Sequence, residues 1–120
     1  MKRVLVVDDS TMMRRAIGDY LSKMNYEVIG QATNGKEAIE FTKEYKPDFI
    51  TLDITMPEMD GLEALSEIMQ IDPNVRVIIV TAQTSQRITS DALKKGAKTF
   101  VNKPFSQADL VEAFEEAMEN

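Results

Sequence analysis

The chain of 120 residues contains no cysteine, no histidine and no tryptophan. Without cysteine it can form no disulfide, no thiolate metal site and no cysteine nucleophile. Without histidine it lacks the commonest general base and the commonest metal ligand. Any divalent ion must therefore bind to oxygen atoms, and an oxygen-only site favours hard cations such as Mg²⁺.

Basic residues are outnumbered by acidic ones, and long apolar runs are absent. The 14 Lys and Arg against 20 Asp and Glu give a net charge of −6, which argues against sequence-independent nucleic-acid binding. No apolar run approaches the roughly 20 residues that span a bilayer. The start, Met1-Lys2-Arg3 and four apolar residues, is too short for an export signal and ends in two aspartates. We therefore expect a cytoplasmic protein that contacts neither nucleic acid nor membrane.

Strand-like and helix-like segments alternate about five times along the chain. The length fits one domain, which we place over residues 1–120. Alternation predicts an α/β fold, with a doubly wound five-stranded parallel sheet and five helices on its two faces. The predicted strands are 3–8, 27–32, 48–53, 75–80 and 98–102. The predicted helices are 11–24, 36–45, 62–71, 86–95 and a last one that starts at a capping box over 106–109.

Polar residues close four of the apolar runs, namely Asp8 with Asp9, then Asp53, Thr81 and Lys103. The carboxyl ends of parallel strands share one edge, where open α/β sheets bind their ligands. Two like charges about 4 Å apart cost roughly 4 kcal/mol at an effective dielectric near 20, so three carboxylates need a proton or a cation. A Mg²⁺ ion and the lysine ammonium together balance three aspartates. This edge therefore suits phosphoryl transfer, with one aspartate as the nucleophile.

Four segments carry a resemblance to a known family. They are Val-Asp-Asp-Ser-Thr-Met-Met-Arg at 7–14, Asp-Ile-Thr-Met-Pro-Glu-Met-Asp-Gly at 53–61, Thr-Ala at 81–82 and Lys-Pro-Phe at 103–105. In their order and spacing the chain resembles the receiver domains of two-component response regulators, and most of all stand-alone chemotaxis regulators of the CheY type. The resemblance implies a flavodoxin-like sheet with strand order 2-1-3-4-5, a topology for which CheY is itself the standard example.

The resemblance also implies roles for the residues at the sheet edge. Asp53 would accept the phosphoryl group, Thr81 would hydrogen-bond one of its oxygens, and Lys103 would form an ion pair with it. The implied Mg²⁺ ligands are Asp8 (mainly through water), Asp9, Asp53 and the backbone carbonyl of Thr55. Lys103-Pro104 would be a cis peptide. Thr55 and Gln83 stand where side chains of the family tune dephosphorylation.

Phe100 stands where the family keeps a switch aromatic, often tyrosine, so this chain lacks a hydroxyl that could bond a partner. The alternative is that Phe100 is an ordinary core ring. Arg14 and Arg15 are expected mainly to solvate the first helix, although a basic patch there could guide a kinase or phosphatase.

The implied function is a monomeric signalling switch that catalyses only its own phosphorylation and dephosphorylation. A histidine kinase would phosphorylate Asp53, and the added charge would shift the positions of Thr81 and Phe100. The face formed by the fourth helix, last strand and last helix would then change its affinity for a partner, with the flagellar motor switch favoured. A phosphatase is a further candidate partner.

Other functions stay open on the sequence alone. The chain could be a phosphorelay intermediate that passes its phosphoryl group to a histidine phosphotransferase. A Mg²⁺-dependent phosphohydrolase with Asp53 as nucleophile is a second alternative, but no second acid and no cap over a substrate are evident. A flavin carrier is the third, and no phosphate-cradling loop is recognisable after the first strand.

Overall fold

The structure, a computed structural model, describes residues 1–56, 59–83 and 85–119. The strands are β1 (Arg3–Val7), β2 (Glu27–Ala32), β3 (Phe49–Leu52), β4 (Arg76–Thr81) and β5 (Thr99–Asn102). The helices are α1 (Thr11–Lys23), α2 (Gly35–Tyr45), α3 (Gly61–Ile71), α4 (Gln86–Lys94) and α5 (Gln107–Glu119). The predicted alternation is confirmed, and the bounds predicted for the strands and the first four helices lie within one residue of those observed. The motif at 53–61 includes Pro57 and Glu58, which lie outside the described residues.

All five strands are parallel and form one sheet in the order β2-β1-β3-β4-β5. The predicted fold class and strand order are therefore confirmed. The apolar runs of β1, β3 and β4 are buried almost throughout, as expected for inner strands covered on both faces. The predicted strand over 27–32 forms an edge strand, in which Val28, Ile29 and Gly30 are only partly buried.

Alternate side chains of each strand face opposite sides of the sheet, and this divides the core in two. Val4 and Val6 pack with apolar residues of α1 and α5. Leu5 and Val7 pack with apolar residues of α2, α3 and α4. With both faces covered, the carboxyl edge of the sheet is the place where polar side chains can gather. No helix of the described residues combines the length and the apolar character that a bilayer crossing requires.

Side-chain caps fix the points at which the helices leave that edge. A hydroxyl, amide or carboxylate oxygen accepts a backbone N–H in the first turn of α1, α2, α3 and α4, from Ser10, Asn34, Asp60 and Ser85 respectively. The predicted capping box of α5 is confirmed. The backbone N–H of Asp109 donates to Ser106 Oγ (3.1 Å), and the N–H of Ser106 donates to Asp109 Oδ2 (3.0 Å).

Gly61 seats the start of α3 directly on the end of β3. Its N–H donates to the carbonyl of Ile54 at 2.8 Å. A Cβ at position 61 would lie 2.3 Å from the carbonyl oxygen of Asp53 and 2.6 Å from Cα of Ile54. Both neighbours are backbone atoms, so only glycine allows α3 to approach the site this closely.

Candidate functional site

Asp8 and Asp9 follow β1 and differ sharply in their surroundings. Asp8 is 1% exposed, and its N–H extends the β1–β2 pairing by donating to the carbonyl of Ala32 at 3.0 Å. Its Oδ1 accepts the N–H of Ser10 at 2.9 Å. Asp9, the next residue, is exposed. The pair therefore combines one fixed, buried carboxylate with one that faces solvent.

Asp53 stands at the matching position after β3. Its N–H donates to the carbonyl of Val7 at 3.1 Å, which continues the β1–β3 pairing by one residue. Its Oδ1 accepts the N–H of Thr55 at 3.3 Å. The residue is only 6% exposed, so its carboxylate is largely shielded from solvent.

Lys103 reaches the two buried carboxylates from the end of β5. Its Nζ lies 2.7 Å from Asp8 Oδ2 and 3.3 Å from Asp53 Oδ2. Its own N–H donates to the carbonyl of Thr81 at 2.9 Å, which fixes the start of the loop between β5 and α5. The predicted cis peptide between Lys103 and Pro104 is present.

The three acidic side chains meet although they come from distant parts of the chain. Asp8, Asp9 and Asp53 each offer a carboxylate oxygen, and these oxygens lie within 4.8 Å of one another. An all-oxygen set of this kind fits a hard divalent cation such as Mg²⁺. The carbonyl of Thr55 as a further ligand stays a prediction.

The charges of this cluster oppose one another. Burial raises the pKa of Asp53, and the negative charge of Asp8 raises it further, while Lys103 acts in the opposite direction. Burial alone favours the neutral amine of Lys103, but its hydrogen bond to Asp8 and the charges of Asp53 and Asp8 outweigh burial and raise its pKa. Lys103 is therefore a firm cation, and the cluster is still short of positive charge.

Thr81 ends β4 beside this cluster and is 2% exposed. Its Oγ1 accepts the N–H of Gln83 at 3.1 Å. The amide of Gln83 in turn donates to the hydroxyl of Thr55. Thus the two residues that the family resemblance connects with dephosphorylation form a hydrogen bond with each other, a contact that the sequence alone did not predict.

Phe100 is the second residue of β5. It is partly buried and packs against the core cluster beneath α2, α3 and α4. It also lines a groove beside α5 of about 300 Å³, together with Pro104, Asp109 and Glu112. Contact with the core is what an ordinary core ring requires, and contact with an open groove is what a switch requires. The role of Phe100 as a switch therefore stays a prediction.

The expectation that Arg14 mainly solvates α1 is wrong. Its guanidinium donates to the carbonyl of Asp8 at 2.8 Å and to Gln31 Oε1 at 3.0 Å. The pattern of residues along α1 does not show that the edge strand β2 lies beside Arg14. Its neighbour Arg15 is exposed, as expected.

Comparison with known proteins gives a consistent result. Residues 4–115 match the family model of the response regulator receiver domain. The chain is 53% identical to the chemotaxis protein CheY of Thermotoga maritima over 112 residues, which cover 93% of each chain.

Solved structures agree. The response regulator domain of Thermotoga maritima CheB superposes with a TM-score of 0.92 at 41% identity, covering 100% of this chain and 98% of that one. A chain of the CheX–CheY–BeF3–Mg²⁺ complex from Borrelia burgdorferi superposes with a TM-score of 0.93 at 37% identity, covering 98% and 89%.

Proposed function

The chain belongs to the response regulator receiver domain family, and on that premise we propose that it is phosphorylated on Asp53 in a Mg²⁺-dependent reaction. Its likeness to CheY proteins over nearly the whole chain makes it a chemotaxis response regulator. A regulator of this kind works as a signalling switch between a kinase and a downstream target.

One observation carries the assignment of the acceptor. The Lys103 ammonium lies between Asp8 and Asp53, at 2.7 Å and 3.3 Å, and Asp9 completes a trio of carboxylates. Asp8 is tied by the N–H of Ser10 and by Lys103. Asp53 sits centrally at the end of β3, between β1 and β4. We assign it as the nucleophile because the trio and the lysine surround it.

The transfer step follows from this arrangement. A carboxylate oxygen of Asp53 forms a bond to the phosphorus of a phosphohistidine, the P–N bond breaks, and the imidazole leaves with the electron pair of that bond and takes up a proton. Asp9, Asp53 and the Thr55 carbonyl would hold the Mg²⁺ ion, with Asp8 acting mainly through water, and the bound ion would supply charge neutralisation for the transferring oxygens. Lys103 and the hydroxyl of Thr81 bind oxygens of the phosphoryl group. The role of the chain as a catalyst is limited to its own phosphorylation and dephosphorylation.

We propose three kinds of partner, namely a kinase, a phosphatase and a target protein. A histidine kinase donates the phosphoryl group, and a phosphatase removes it where the cell has one. The target, which we propose to be the flagellar motor switch, binds the face of α4, β5 and α5 after Thr81 and Phe100 move. The similarity to CheY proteins favours this pathway over a phosphorelay. We further propose that the protein acts as a monomer in the cytoplasm, as the likeness to CheY proteins suggests.

The first prediction tests the acceptor. After incubation with acetyl phosphate and MgCl2, we expect intact-mass spectrometry to show a gain of one phosphoryl group in the parent chain. Asp53→Asn should show no gain, because the amide keeps the volume of the side chain but is not a nucleophile. Asp19→Asn removes the same charge from an exposed position of α1 and should gain mass like the parent. Labelling of Asp53→Asn at the level of the parent would refute the assignment.

A further inference from the structure

Arg14 connects the acidic site to β2, the first strand in the sheet order. From the first turns of α1, its Nη1 donates to the carbonyl of Asp8 at 2.8 Å, its Nε to Gln31 Oε1 at 3.0 Å, and its Nη2 to the hydroxyl of Thr11 at 3.3 Å. A planar guanidinium can hold three acceptors at fixed angles, which an ammonium cannot do. One side chain thus joins α1, the edge strand β2 and the loop that carries the acids.

The backbone N–H and the carbonyl of Asp8 are both connected to β2, the N–H directly and the carbonyl through Arg14. Its N–H donates to the carbonyl of Ala32 at 3.0 Å. Its carbonyl accepts from Arg14, which is itself held by Gln31, the residue before Ala32. Its two carboxylate oxygens accept from Ser10 and Lys103. Each polar group of Asp8 therefore has a partner, and Arg14 supplies the one for its carbonyl.

The Asp8 carbonyl belongs to the planar peptide unit that links Asp8 to Asp9. A hydrogen bond to that carbonyl restrains the plane of the peptide, and with it the positions of the Asp9 N and Cα atoms from which the side chain leaves the backbone. Asp9 is exposed and follows Asp8 directly, so the orientation of this peptide is one local constraint on the position of its side chain. The Asp9 carboxylate nevertheless lies within 4.8 Å of those of Asp8 and Asp53.

We propose that Arg14 is a positioning residue of the cation site, which orients the Asp8–Asp9 peptide so that both carboxylates face Asp53. This inference rests on the proposed function, because it assumes that the acidic trio binds Mg²⁺. Arg14 does not touch the ion. It acts through the backbone carbonyl of Asp8, and Gln31 on β2 holds it in place.

Electrostatics alone predicts the opposite effect, which makes the proposal testable. A guanidinium beside an acidic site repels a divalent cation, so the loss of its charge strengthens Mg²⁺ binding if charge is all that matters. The loss of a positioning contact weakens binding instead, because the carboxylates then sample orientations that do not face the ion. The sign of the change in affinity therefore separates the two roles.

The experiment is a titration of the metal-free protein with MgCl2, followed by backbone amide shifts in two-dimensional NMR spectra. We expect Arg14→Gln to weaken Mg²⁺ binding about tenfold, as loss of an outer contact to a metal-binding residue commonly does. Arg15→Gln removes the same charge from an exposed neighbour on the same helix and should bind Mg²⁺ as tightly as the parent or slightly more tightly. Equal or tighter binding by Arg14→Gln relative to Arg15→Gln would overturn the proposal.

A second variant leaves the charge of Arg14 in place. Gln31→Ala removes the acceptor that holds the guanidinium, and we expect a smaller loss of Mg²⁺ affinity in the same direction. If Arg14→Gln does not fold, Gln31→Ala decides alone, and an affinity equal to that of the parent contradicts the positioning role. A parent chain that binds no Mg²⁺ would instead refute the cation site of the proposed function, and this inference with it.

Discussion

The ammonium group of Lys103 stabilises two buried carboxylates that lie side by side. Its ammonium is closer to Asp8 (2.7 Å) than to Asp53 (3.3 Å). The sequence predicted a lysine beside three acids from charge balance, and the structure confirms its proximity to two of them, Asp8 and Asp53. It could not predict the nearer partner, because that choice depends on where β5 ends relative to β1, two strands that are separated in the sheet. The longer distance to Asp53 leaves that carboxylate less completely neutralised.

The burial of Asp53 leads to a prediction about pH. Since its pKa is raised in the folded protein, chiefly by burial, the folded state holds a proton that the unfolded chain releases more easily. The stability contributed by protonated Asp53 is complete below the unfolded pKa and is lost as the pH rises through the folded pKa. Asp53→Asn has no such proton to lose, so its advantage over the parent in free energy of unfolding should grow with pH.

Urea unfolding in EDTA, from about pH 4 to about pH 8, measures this difference. The comparison must be free of metal, because a bound cation would favour the carboxylate. An advantage of Asp53→Asn that stays constant or shrinks as the pH rises would show that burial does not dominate at Asp53.

The elements around the site were predictable to different degrees. Continuous apolar runs predicted the inner strands β1 and β3 closely, because strands buried on both faces need such runs. The contact between α1 and β2 was not predictable. The β1–β2 register shifts between Val4 and Leu5, and a shift of one residue exchanges the faces of all later side chains. No pattern in the sequence therefore indicated that Gln31 would meet Arg14.

The start of α3 gives a prediction at the scale of elements. Gly61→Ala should lower the free energy of unfolding by about 1–3 kcal/mol, because the new methyl group meets the backbone of Asp53 and Ile54 and forces α3 away from β3. Gly18→Ala is the matched control within α1, where a Cβ would have no neighbour within 4 Å. This control should raise stability by up to about 1 kcal/mol, since alanine is the better helix former.

Urea denaturation of the three proteins compares these effects directly. An unchanged or increased stability of Gly61→Ala would mean that α3 does not approach the end of β3 as closely as described. A loss in Gly18→Ala similar to that in Gly61→Ala would indicate a general intolerance of the fold to substitution at glycine.

At the scale of the whole molecule, the site is a product of topology. Asp8 and Lys103 form a 2.7 Å ion pair although 95 positions separate them, because the sheet order brings their strands to one edge. Alternating elements and the residues that end the strands were enough to predict that gathering. The strand order itself came from the family resemblance, since several arrangements of five parallel strands bring their carboxyl ends together. The choice of the flagellar motor switch as target likewise came from the family resemblance, because half of that interface belongs to another protein.

The most direct test of the account asks whether the separated acids act as one site. The parent chain is incubated with acetyl phosphate, with MgCl2 in one sample and with EDTA in the other, and peptic peptides are mapped by mass spectrometry. We predict one phosphoryl group, found only with Mg²⁺ and only on the peptide that contains Asp53. A phosphoryl group on another residue, or equal labelling of Asp53 in EDTA, would contradict the claim that Asp8, Asp9 and Asp53 form a Mg²⁺-dependent phosphorylation site.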